Sequence, residues 1–183
     1  MPDQDPVTSR RISSQLISYL VGGLTLDDFA QWVKATPELR SILSPTDYAA
    51  LMSIDFQHTE SPSLLDKLLR GYIDWAQHEK EQLAELLMAI IWKDRPLTAL
   101  VSMYEKFTHG LTFLNTLGNE YGKSILSTYG ANPESVEGHE STLMAVYPKA
   151  RDEAKRILHS LVSGKITFTG TYTQEGHPEY IER

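Results

Sequence analysis

Two pairs of residues at helical spacing raise the question of chemistry. Asp74 and His78 stand four apart, with Glu81 and Glu85 continuing the same side, and Glu105 and His109 repeat the spacing. Residues four apart share one face of a helix. Two neighbouring helices, each offering a carboxylate and an imidazole, can hold a divalent metal. Asp74, His78, Glu105 and His109 are therefore candidate ligands for a metal-binding helical-bundle enzyme or sensor. Against this, carboxylate-bridged metal bundles use Glu-x-x-His, a spacing absent from the whole chain. The run HEKEQ at 78–82 also lacks the second histidine of HExxH. Zero cysteines remove disulfides, thiolate zinc sites and cysteine nucleophiles together. The chain has no GxxxxGK[ST], GxGxxG or GxSxG, so phosphate loops and the serine-hydrolase elbow have no support. The sequence thus assigns no catalytic residue and no cofactor, and the leading reading is non-enzymatic.

Charge offers a second kind of chemistry, recognition. A net charge of −7 over 183 residues argues against general affinity for nucleic acid, which needs clustered Lys and Arg to neutralise phosphates. The charge is unevenly spread. Residues 25–60 carry 2 basic against 6 acidic side chains, residues 131–146 carry 0 against 3, and residues 147–170 carry 5 against 2. Such a field can steer a basic partner toward an acidic face, although charged surfaces also serve solubility alone. Asp27, Asp28, Asp47, Asp55, Glu134, Glu137 and Glu140 are the candidate partner-binding residues.

The elements that must position these residues read as an all-α chain. Ile12, Leu16, Ile17 and Leu20 form one face of a first helix, capped by Ser9 and stopped at Gly22-Gly23. Thr25 with Asp28 makes a variant of the capping box for a second. Thr36-Pro37, Ser44-Pro45 and Ser61-Pro62 each place a capping hydroxyl before a proline, which predicts short helices over 37–43 and 45–55. Leu65, Leu69, Tyr72, Ala76, Leu83, Leu87 and Ile90 trace one stripe, read as a single long helix bent at Gly71. After the polar turn Lys93 to Pro96, the residues Leu97, Leu100, Tyr104, Phe107, Leu111 and Leu114 alternate spacings of three and four, the mark of a packing seam. The short connection makes these two helices antiparallel neighbours and the spine of a helical bundle. A last helix runs from about Tyr147 to Gly164, and KITFTGTYT predicts a short strand or hairpin. The expected organisation is a polar tail over 1–8, a single helical domain over 9–170 and a C-terminal extension over 171–183. No run approaches the length needed to span a bilayer and no secretion signal is read at the start, so the expected location is the cytoplasm, without membrane contact.

The stretches YLVGGLTLDDFAQWV, FTHGLTFLNTLGNEYG and YPKARDEAKRILHSLVSGKI resemble small helical bacterial proteins of unassigned activity, whose N-terminal segments read as a Tyr-Leu-x-Gly turn followed by a hydrophobic-acidic helix. The likeness spans about a third of the chain and consists of turn and core residues. Some helical proteins of this size and charge act as immunity partners of secreted toxins. The resemblance therefore implies an inhibitor that covers a basic toxin domain, with a metal-binding bundle and a structural subunit of an oligomer as the alternatives.

Overall fold

The computed structural model describes residues 6–130, 137 and 139–183, with the side chains of Pro6 and Glu140 outside the description. The chain is helical apart from a C-terminal two-stranded antiparallel hairpin. Contacts divide it into two compact units, residues 1–73 and 74–183, where the sequence reading had a single domain over 9–170 and an extension over 171–183.

The first unit contains α1 (Pro6–Leu20), α2 (Leu26–Ala35), α3 (Leu39–Ile42), α4 (Pro45–Ser53), α5 (Ser61–Leu69) and a 3-10 turn, Arg70–Tyr72. α1 begins three residues before Ser9, so that serine lies inside the helix rather than at its cap. The Gly-Gly joint behaves as a chain reversal, with Gly22 at φ 81°. Thr25 then caps α2 as expected: its hydroxyl accepts from the Asp28 amide at 3.1 Å and donates to the Asp28 carboxylate at 2.7 Å. Ser44 repeats this arrangement with Asp47 at the start of α4. Thr36 and Ser61 do not. The Thr36 hydroxyl bonds backward to the Trp32 carbonyl at 2.8 Å and closes α2, while Ser61 donates to the Asp55 carbonyl at 2.5 Å. A hydroxyl before proline can thus satisfy the preceding segment instead of the following helix. Apolar faces converge on Ile12, Leu16, Phe29, Leu39, Leu51 and Leu65, each fully buried, with the Tyr19 ring stacked on Phe29 at 4.1 Å.

The stripe over 62–92 is not one helix. Ile73 is extended (φ −109°, ψ 130°), and Asp74 caps a new helix, its carboxylate accepting from the Gln77 amide at 2.9 Å. That cap satisfies an amide that a continuous helix would have bonded internally, so it turns a bend at Gly71 into a break.

In the second unit α6 (Trp75–Trp92) and α7 (Pro96–Thr108) run antiparallel across the turn 93–95, in which Lys93 and Arg95 hold positive φ without a glycine. α7 ends at Thr108, earlier than its seam suggested. Leu111 and Leu114 still reach the core, Leu111 from the loop and Leu114 from the 3-10 turn Thr112–Leu114. A π-helix, Asn115–Gly122, follows and packs on α7, then α8 (Lys123–Tyr129), α9 (Glu140–Val162), β1 (Ile166–Tyr172) and β2 (Pro178–Glu182). Gly118 and Gly122 make the π-helix contact possible. A Cβ on Gly118 would stand 2.6 Å from the Met103 carbonyl oxygen, and one on Gly122 would overlap the Leu100 carbonyl oxygen. The seam residues Leu97, Leu100, Leu111 and Leu114 share one buried cluster with Leu83, Leu87 and Ile90 of α6 and Ala154 and Ile157 of α9. β1 joins that cluster through Ile166 and Phe168, so the hairpin is seated on the helices rather than standing alone.

Candidate functional site

In the first unit, the loop after α4 folds back beside α2. Asp55 Oδ1 accepts from the Gln57 amide at 3.0 Å, and the Gln57 side-chain amide reaches Asp27 Oδ1 at 3.5 Å. Asp27 and Asp55 thereby line one open cavity of about 490 Å³, with Lys34, Met52, Phe56 and Gln31 around them. Neither carboxylate forms an ion pair among the described residues. Met52 is 48% exposed, which sets an apolar contact beside the two charges.

The other acidic candidates have structural work. Asp28 is tied to Thr25 at the cap of α2. Asp47 accepts from Ser44 and from the Tyr72 hydroxyl, which itself accepts from the Ser44 amide at 2.9 Å. These hydrogen bonds, Ser44 first and then Tyr72, hold the Asp47 carboxyl below the usual range, with a smaller opposing contribution from desolvation. Glu137 accepts from the Thr98 amide at 2.5 Å and so caps the first turn of α7, a segment distant in sequence. Glu134 and the side chain of Glu140 lie outside the described residues. Of the seven carboxylates, therefore, only Asp27 and Asp55 are seen together at an open site.

The four candidate metal ligands do not converge. Asp74 caps α6, His78 meets Gln82 at 3.0 Å and packs edge-on to Trp75, and His109 Nδ1 lies 2.6 Å from the Glu105 carbonyl oxygen. Among the described residues no group of three His or carboxylate side chains could hold an ion. Glu105 and His109 do line one cavity together, but Asp74 is directed to its own helix terminus and His78 to Gln82, so the four do not form one site.

The second unit holds a larger cavity, about 720 Å³, between α6, α7 and the hairpin. One wall carries an ion pair: Lys106 Nζ stands 3.5 Å from Glu79 Oε2, with the side chains only 21% and 13% exposed. Lys106 also donates to Gln82 Oε1 at 3.3 Å, and the Tyr172 hydroxyl donates to Glu79 Oε1 at 2.9 Å. Sequence reading missed Glu79, Lys106 and Tyr172. A faint signal was present in Glu79, Gln82, Leu86 and Ala89, whose spacings of three, four and three mark a second stripe beside the apolar one on α6. Nothing local signals Tyr172, 93 residues from its partner.

No helix among the described residues is long and apolar enough to cross a membrane. No protein-family model matches the chain, and no curated protein or solved structure matches it either.

Proposed function

We propose that this protein is a non-enzymatic binding module, most concretely an immunity-type inhibitor that covers a basic domain of a bacterial toxin in the cytoplasm. The observation that carries the reading is the cavity of the first unit, where Asp27 and Asp55 present carboxylates with no ion-pair partner among the described residues, beside exposed Met52. A carboxylate pair of this kind complements a lysine or arginine of the partner, and the neighbouring methionine supplies adaptable apolar contact. The resemblance in the turn and core residues adds the bacterial immunity context. Asp28, Asp47 and Glu137 act in this reading as supports that fix helix starts, and Asp27 and Asp55 are the contacts.

The test is purification of the protein from its own organism at low ionic strength. A stoichiometric basic partner, retained by the wild-type chain and lost from an Asp27→Asn, Asp55→Asn double variant, is the expected result. Absence of any stoichiometric partner, or retention by the double variant, overturns the proposal.

A further inference from the structure

We infer that His109 and His177 form a two-imidazole site for a divalent transition-metal ion such as Zn2+, placed where the end of α7 meets the hairpin. The inference is independent of the partner-binding role given to the first unit. The two rings meet edge to face with their centres 5.6 Å apart. Metal–nitrogen bonds of about 2.0–2.1 Å and a tetrahedral angle at the ion bring the centres of two ligating imidazoles to roughly 5 Å. The pair therefore stands close to coordinating distance without an ion. His109 is exposed and His177 half-buried, so rotation of the side chains can close the remaining gap. The imidazole partner of His109 thus comes from the hairpin, 68 residues on, and not from α6.

Both imidazoles are prepared for the role. His109 Nδ1 lies 2.6 Å from the Glu105 carbonyl oxygen, which only accepts, so Nδ1 carries the proton and the neutral ring keeps its lone pair on Nε2. A backbone carbonyl holding one ring nitrogen is the arrangement that orients a metal-ligating histidine. The His177 side chain lies against Gly110, where an added Cβ would come 3.5 Å from both its Cβ and its Nδ1. Its backbone is fixed by the hairpin turn: the amide donates to Thr173 Oγ1 at 3.3 Å, and the carbonyl accepts from the Thr173 amide at 2.8 Å. Neither ring nitrogen of His177 enters a hydrogen bond among the described residues. Gly176 and Pro178, on either side of His177, line the same cavity as His109 and Glu105, while Lys106 there is held by Glu79 and Gln82. Imidazole pairs favour Zn2+, Ni2+ and Cu2+ over oxygen-seeking ions, and no cysteine competes for them. No third protein ligand is placed to join them among the described residues, so water completes the coordination shell.

Zn2+ and Mg2+ chlorides, each titrated into the full-length 15N-labelled chain, test the site. Zn2+ is expected to bind in the micromolar range and to shift the amide resonances of His109, Gly110, Gly176 and His177 together, and Mg2+ to shift none of them. His109→Asn changes an exposed side chain and keeps the fold, and it should weaken Zn2+ at least about tenfold. His177→Asn should do the same, and the double variant should bind no more weakly than either single one, since each loss already leaves one imidazole. Zn2+ should also raise the Tm of the wild-type chain by several degrees and leave that of His109→Asn unchanged. Equal shifts at His58, His78, His139 and His159, which would mean an adventitious ion only, an undiminished affinity in His109→Asn, or an equal response to Mg2+ would each overturn the assignment.

Discussion

Replacing Gly122 by alanine is the sharpest perturbation of the helical core. Helix propensity alone favours the change by up to about 1 kcal/mol, because glycine carries the larger entropy loss on folding. Packing opposes it. The new methyl group would overlap the carbonyl oxygen of Leu100, and it would lie 3.0 Å from both the Leu100 carbonyl carbon and Tyr104 Cβ. Two of these three atoms are backbone of α7, which cannot rotate away as a side-chain tip can. The π-helix must therefore move off α7, opening a fully packed contact, and overpacking of this kind costs roughly 1–3 kcal/mol or more. Gly71→Ala is the matched control, since nothing lies within 4 Å of its added Cβ. Thermal melts followed by circular dichroism should show Gly122→Ala lowering Tm by roughly 2–12 °C, against a degree or two for Gly71→Ala. A Gly122→Ala protein at or above the wild-type Tm would refute the close approach of the π-helix to α7.

Leu111→Ala should cost roughly 2–5 kcal/mol in urea unfolding, because the side chain is 1% exposed and its loss leaves a cavity. His109→Ala should stay within about 0.5 kcal/mol; equal losses for the two would contradict their burial. Tyr72→Phe removes one of the two hydrogen bonds that depress the Asp47 carboxyl, so NMR titration should move it back toward its ordinary value of 3.8. Because the folded form has the lower value, the Asp47 contribution to stability is present above the unfolded pKa and fades as pH falls through the folded one. Tyr72→Phe should then flatten the loss of stability in acid, and an unshifted Asp47 titration would contradict the hydrogen bond. Tyr172→Phe should speed amide exchange across β1 and β2 by an amount equivalent to about 1–3 kcal/mol, the range for a hydrogen bond to a charged group. Unaltered exchange would mean that the Tyr172–Glu79 hydrogen bond does not hold the hairpin to α6.

Periodicity and turn chemistry carried most of the fold into the sequence. The Gly22-Gly23 reversal, the Thr25 and Ser44 caps and the seam of α7 are local features, each decided by a few adjacent residues, and each is seen in the structure. What periodicity hid was the break at Ile73, since the apolar stripe continues in register across it while the Asp74 cap stops the backbone. The π-helix was equally hidden: Gly118 and Gly122 read as interruptions of a pattern, whereas their lack of a side chain is what lets a wider helix touch α7. The sites were the least legible. Charge counts pointed to seven carboxylates, but whether a carboxylate caps a helix or faces a cavity depends on partners such as Thr98, 39 residues from Glu137. Glu79 and Tyr172 meet only once the hairpin is folded onto α6.

Capture of the partner at two ionic strengths tests the binding role most directly. The wild-type chain, immobilised and exposed to lysate of its own organism, should retain one basic protein in stoichiometric amount at low salt and release much of it at high salt, as screening weakens its contacts with Asp27 and Asp55. The Asp27→Asn, Asp55→Asn variant should retain little at either. Capture that is indifferent to salt and to both substitutions, or no stoichiometric capture at all, would contradict the account.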